Sequence, residues 1–118
     1  MPIERLHAGP RMSQIVIHNK TVYLAGQVAK NAAGKGVTEQ AQEILAIIDG
    51  LLAEAKTDKT RILSATIWLT SMSTFGEMNK AWDQWVAPGS TPARATVESA
   101  KLAGPDYNIE ISVIAAQP

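Results

Sequence analysis

The stretch of residues 37–69 reads VTEQAQEILAIIDGLLAEAKTDKTRILSATIWL, and it decides the fold. Ala41, Ile44, Leu45, Ile48, Leu51, Leu52 and Ala55 recur at steps of three and four, which sets them on one helix face. The spacing predicts a helix over Val37–Ala55, with Thr38 as candidate cap of the first turn. The polar run Lys56-Thr57-Asp58-Lys59-Thr60 breaks it. Ile62–Leu69 then has the length and β-branched content of a strand. Its near-continuous apolar run predicts cover on both faces.

On the N-terminal side, Gln14–His18 and Thr21–Ala25 are rich in β-formers and are separated by the polar pair Asn19-Lys20, a hairpin signal. Gly26 follows the second strand, where glycine marks a bulge or a close backbone approach. Lys30–Gly36 is a loop with glycines at 34 and 36. On the C-terminal side, Phe75, Met78, Ala81, Trp82 and Trp85 form a second helical stripe, capped by Ser73 or Thr74, running to about Val86 and stopped by Pro88-Gly89. Two further strands follow, around Thr91–Val97 and over Asn108–Ala116, with a turn at Gly104-Pro105-Asp106 between them. If Ile3–Leu6 also pairs, the order is β-β-β-α-β-α-β-β. This is the α+β pattern, one mixed sheet with two helices packed on one face, in a single domain spanning 1–118. The other sheet face is then either wet or covered by another subunit, and the apolar content favours the second.

The length of 118 residues suits one domain. A hydrophobic content of 46 % supplies a core and argues against general disorder. Eleven basic and eleven acidic side chains give zero net charge, which disfavours a broad phosphate-tracking surface for nucleic acid. The absence of cysteine excludes disulfides, thiolate zinc sites and cysteine nucleophiles. The start, Met1-Pro2-Ile3-Glu4-Arg5, lacks a secretory pattern, and no apolar run reaches the ~20 residues a bilayer needs. These readings predict a soluble cytoplasmic protein.

Two residues stand out as candidate chemistry. Arg94 sits in the strand that Pro92 introduces stiffly. Its planar, always-charged fork suits bidentate capture of a carboxylate. A strand-end salt bridge, or snorkelling to water, suits it as well and carries more weight on residue type alone. Glu110 points to the sheet face opposite its neighbours Ile109 and Ile111. On a wet face it is an ordinary polar position. Against a second subunit it becomes a desolvated carboxylate able to move a proton. Glu98 shares that ambiguity. His7 and His18 are isolated, which predicts no metal site. Gly34 and Gly36 lack the lysine and hydroxyl of a phosphate loop. Trp68, Trp82 and Trp85 read as core or interface anchors, and Ser13 has no general base in view.

The chain resembles the RidA/YjgF family of reactive-intermediate (enamine/imine) deaminases along nearly its whole length. The resemblance rests on Ala8-Gly9-Pro10 with Ser13-Gln14, on Leu24-Ala25-Gly26-Gln27-Val28, on the Phe75–Trp85 helix with Met78-Asn79, on Pro92-Ala93-Arg94 and on Ile109-Glu110-Ile111. The phrase Met78-Asn79-Lys80-Ala81-Trp82-Asp83 and the C-terminal ending are most similar to the bacterial YoaB-like branch. The resemblance implies a chorismate-mutase-like fold, a homotrimer with a barrel-like centre, and sites in clefts between subunits. It implies hydrolysis of 2-aminoacrylate-like imines to 2-keto acids and ammonia without metal or organic cofactor. By position, Arg94 matches the arginine that holds the substrate carboxylate, and Glu110 the acid that orients water. Gly26 matches a backbone position lining the pocket, and Asn79 a nearby polar residue. Three positions depart from the pattern. Arg11 stands where an aromatic residue is usual, Ala25 where serine is frequent, and Thr96 where cysteine is frequent. An inward-facing Arg11 would add positive charge and shift the substrate toward a more acidic imine. Rival expectations are a regulatory trimer that binds a small carboxylate without turnover, and a ribonuclease, which the neutral charge and the lack of a histidine pair disfavour.

Overall fold

A computed structural model describes residues 2–118; Met1, the first residue of the stretch read as lacking a leader, lies outside them. The strands are β1 (Glu4–Ala8), β2 (Ser13–His18), β3 (Thr21–Leu24), β4 (Ile62–Leu69), β5 (Ala93–Glu98) and β6 (Ile109–Ala116). The helices are α1 (Val37–Glu54) and α2 (Phe75–Trp85), so the element order is the predicted one. One six-stranded sheet runs β1-β2-β3-β6-β4-β5. Every pairing is antiparallel except β4 with β5. A parallel pair needs a crossover of a dozen or more residues, and residues 70–92, with α2 among them, supply it.

Both helices lie on one sheet face, as the apolar stripes require. Ile15, Val22, Ile67, Leu69 and Ile109 of the sheet meet Ile44, Ile48 and Leu52 of α1, all with no exposed surface. Burial of each such side chain contributes about 1.5–3 kcal/mol before entropy is counted. α2 adds Met78, Ala81 and Trp82. Trp85 is partly buried against the core, and its Nε1 donates to Asp49 Oδ2 at 3.0 Å.

Several local expectations are corrected. Within one chain β4 is covered on one face only. Ala65, Ile67 and Leu69 are buried while Ser64, Thr66 and Trp68 are half-exposed, because both helices use the same side. Thr38 does not cap α1. Gly36 holds that position with no side-chain bond, and Thr38 Oγ1 instead donates to Glu77 O at 2.8 Å, tying α1 to α2. Neither Ser73 nor Thr74 caps α2 through its side chain. A short 3-10 turn, Met72–Thr74, precedes the helix, and the Ser71 hydroxyl caps that turn by accepting from Ser73 N. The strand expected over Asn108–Ala116 begins at Ile109, since Asn108 is engaged elsewhere.

Backbone geometry explains two junctions. Asn19 and Lys20 both have positive φ, 52° and 62°, as a two-residue hairpin turn requires. α1 ends on Lys56 at φ 62°. There Lys56 N donates to Ala53 O, and Thr57 N donates to Leu52 O, both at 3.0 Å. These two bonds satisfy the last carbonyls of the helix in the arrangement that normally selects glycine.

Gln40 is the one polar side chain of α1 with no exposure. Its Nε2 donates to Lys35 O at 2.8 Å and to Asp106 O and Asn108 Oδ1 at 3.2 Å. Its Oε1 accepts from Asn108 N at 3.0 Å. One buried amide thereby fixes both the loop before α1 and the connection before β6. It is satisfied on every side, as burial demands.

Candidate functional site

Arg94 and Glu110 do not lie on neighbouring strands. β4 separates β5 from β6. Arg94 is the register partner of Ala65, whereas Glu110 is the partner of Trp68. Ala65 faces the helices, so Arg94 does too. Trp68 and Glu110 stand on the open face. Two strand spacings across and three residues along put the two Cα atoms about 14 Å apart, on opposite sides of the sheet.

On the helix side, Arg94 is enclosed by α2. Its Nη1 donates to Asn79 Oδ1 at 2.9 Å and approaches Met78 Sδ at 3.8 Å. Its guanidinium carbon lies 5.2 Å from the Trp82 ring centroid and 5.8 Å from that of Phe75. Aromatic faces stabilise a cation at such distances without consuming its hydrogen-bond donors. Among the described residues no carboxylate pairs with Arg94, and the close imidazole–carboxylate contact is that of His7 with Glu54. The salt-bridge role open to Arg94 in the sequence is therefore not the one it takes. Most of its fork remains free for an outside anion. Asn79, read from the sequence only as a nearby polar residue, is its positioning partner. Glu98, on the same side of β5, is occupied by Met72 N at 2.9 Å. Thr96, between them in the alternation, has a buried hydroxyl with no partner.

On the open side, Glu110 lies against Gly26. A Cβ added at position 26 would fall 3.0 Å from Glu110 Cδ and closer still to its carboxylate. The close approach expected at Gly26 is therefore real, and the carboxyl of Glu110 is what approaches. Gln27 exchanges backbone bonds with Ile111 at 2.9 and 3.1 Å, which holds this segment across the start of β6. Gln27 Nε2 donates to Gln14 Oε1 at 2.8 Å and to Ala25 O at 3.0 Å. Ala25 N donates to Gln14 O at 2.9 Å. The Gln14–Gln27 pair escaped the sequence reading; the only signal was glutamine recurring beside both motifs. Arg11 is exposed in the turn between β1 and β2, which Gly9 N closes on Met12 O at 2.8 Å.

The structure thus forms two half-sites. One holds Arg94 with Asn79 on the helix side. The other holds Glu110 with Gly26 on the open side. The open face around it carries Val16, Tyr23, Trp68, Val97 and Ile114, of which Tyr23 and Val97 are 45 % and 43 % exposed. His18 ends β2, Ser13 begins it, and neither joins either half-site. Among the described residues no three His, Asp or Glu side chains cluster as a metal site would need, and no helix is long and apolar enough to cross a membrane.

A family model described as endoribonuclease L-PSP matches residues 2–117. A RutC family protein of Haemophilus ducreyi is 45 % identical, covering 97 % of this chain and 96 % of its own. The RutC family protein YoaB of Escherichia coli is 44 % identical, covering 98 % and 99 %. A more distant relative, the 2-iminobutanoate/2-iminopropanoate deaminase of Capra hircus, is 34 % identical and covers 89 % and 79 %. Among solved structures, a YjgF family member from Neisseria meningitidis superposes with a TM-score of 0.95 at 42 % identity, covering 100 % and 97 %. Matched in sequence and in fold over almost its entire length, the chain belongs to the RidA/YjgF family, alongside its YoaB-like members.

Proposed function

We propose that this protein hydrolyses 2-imino acids to 2-keto acids and ammonia, in a site completed between copies of the chain. The observation that carries the reading is the Arg94 fork, held by Asn79 and two aromatic rings yet unpaired with any protein carboxylate among the described residues. The deaminase name of the goat relative supports the same chemistry.

A 2-imino acid offers a carboxylate to the guanidinium and an electrophilic C=N carbon beside it. Glu110 accepts a proton from a water as its oxygen bonds to that carbon, and passes that proton to the nitrogen, which becomes an amine. Glu110 then takes the hydroxyl proton of the carbinolamine and gives it to the amine, which departs as ammonia as the C=O bond forms, restoring the Glu110 carboxylate. No covalent enzyme intermediate is required; holding water and substrate in line supplies the rate.

Within one chain Arg94 and Glu110 stand on opposite sheet faces, so one small substrate cannot touch both. A homotrimer, with Arg94 of one copy facing Glu110 and Gly26 of the next, resolves this and covers the apolar open face. An Arg11 turned toward that site adds a positive charge, which favours a more acidic imine than 2-aminoacrylate. Ala25 supplies no hydroxyl beside Gly26.

The test generates imines with an amino-acid oxidase and follows keto acid and ammonia. Arg94→Ala is expected to lose about 2–5 kcal/mol of transition-state binding. Glu110→Gln is expected to lose ~10²–10⁴-fold in kcat with KM nearly unchanged. Full activity in Arg94→Ala would sink the assignment. Saturable carboxylate binding with no ammonia release in the wild type would make the protein a sensor rather than a deaminase. That second reading has one specific support: the Arg94–Asn79 half-site is complete without Glu110.

A further inference from the structure

A cleft of about 510 Å³ opens between the end of β4 and the β5–β6 connection, lined by Thr70, Lys101, Leu102, Pro105, Tyr107 and Asn108 among others. Neither Arg94, Glu110, Gly26 nor Arg11 lines it. Its volume falls within the range of sites that take organic ligands.

The walls are fixed although they are loop. Gln40 holds the backbone of Asp106 and Asn108 from below. Asn108 Nδ2 donates to Thr70 Oγ1 at 3.0 Å, and Thr70 N donates to Asn108 O at 3.1 Å. Gly104 admits the ring of Tyr107 at a distance where a Cβ would sit 3.0 Å from two ring carbons. Tyr107 N closes the same turn on Gly104 O. The tyrosine ring is therefore seated against backbone rather than free to swing.

The chemistry of the lining is one-sided. It contains no aspartate or glutamate. Several of its acceptors are engaged: Asn108 Oδ1 by Gln40, Lys101 O by Ser99, and Gly104 O by Tyr107. Its side chains offer donors to a ligand: the Lys101 ammonium, the Tyr107 hydroxyl and the hydroxyl proton of Thr70. Leu102, Pro105, Ala100, Ala103 and the Tyr107 ring supply apolar surface around them. We infer that this cleft is a second ligand site, taking a small organic anion with an apolar body, such as an aryl- or branched-alkyl carboxylate. The connection that walls it leaves β5 one residue after Glu98 and enters β6 two residues before Glu110.

The inference does not depend on imine hydrolysis, and its test removes the first site. In Arg94→Ala protein, 3-phenylpropanoate and 4-methylpentanoate are titrated while backbone amide resonances are followed. Saturable shifts confined to residue 70 and residues 100–108, with a Kd below about 1 mM, are expected. Lys101→Gln should weaken binding about tenfold, and Gly104→Ala, which displaces Tyr107, should weaken it as well. The neutral 3-phenylpropanamide should bind at least tenfold more weakly than its acid. Absence of shifts at these residues overturns the site. Equal binding of acid and amide, or indifference to Lys101→Gln, overturns its assignment to anions.

Discussion

Gly26 shows how one missing atom serves a charged neighbour. Its φ is not in the left-handed region, so its role is space rather than backbone freedom. An alanine methyl would occupy the volume of the Glu110 carboxyl, and the longer side chain would have to turn away. Gly26→Ala is therefore expected to lower imine turnover ~10–100-fold by misplacing the carboxylate. Because Glu110 is only half-buried and flexible, the midpoint of urea unfolding should move little. A variant that unfolds early, or one with unchanged kcat, would contradict this role. Arg94 makes the complementary point. From residue type alone a salt bridge or snorkelling to water carries more weight than a site, and sequence order cannot show that Asn79, fifteen positions earlier, meets the guanidinium instead. Helical spacing placed Phe75, Met78 and Trp82 on one stripe. It did not show that the rim of that stripe would wall a cation.

The elements were legible where periodicity and burial agree. α1 follows from the leucine and isoleucine spacing and ends at Glu54, one residue before the expected Ala55, and the hairpin follows from two β-rich runs around a polar pair. What periodicity misses is the capping. Thr38 looked like a cap by type, but its hydroxyl found a carbonyl on α2. The C-terminus of α1 uses Lys56 in a conformation that costs an L-residue about 1–2 kcal/mol. Part of that is recovered by the two bonds from Lys56 N and Thr57 N. Lys56→Gly should keep both bonds, remove the strain, and raise stability by about 0.5–1 kcal/mol net of its unfolded-state entropy. Denaturant unfolding with an unchanged m-value would register it; a loss of stability would mean that the lysine side chain matters more than its backbone. β4 shows the opposite limit. Its apolar run predicted two covered faces, yet only the helix-facing half is buried in one chain. The sequence pattern predicts cover and cannot say whether this chain itself provides it.

For the whole molecule, the order β6-β4-β5 has the largest consequence for function. It puts Arg94 and Glu110 on opposite sides of one sheet. If a working site joins Arg94 of one copy to Glu110 of another, two inactive variants can repair each other. Coexpression of Arg94→Ala and Glu110→Gln chains should restore about one quarter of sites in randomly mixed closed rings. Ammonia release from the mixed assembly, absent from either variant alone, is the measurement. No recovery in verified mixed oligomers would place both residues of a site in the same chain, against the register seen here. The strand order itself was not readable in advance. Sequence gives strands and their faces, but which strand inserts between which depends on crossovers, and β6 enters the middle of the sheet from the far end of the chain.

Gln40 also governs time, beyond holding its two loops in place. Amides in connecting loops normally surrender their protons to solvent first. The Asn108 amide lies outside every strand, yet it donates to a side chain with no exposure at all. In deuterated buffer it should exchange as slowly as the amides of Ile67 and Ile111, not as fast as those of residues 30–35. The connection that joins β5 to β6 is then part of the last unit of the protein to come apart.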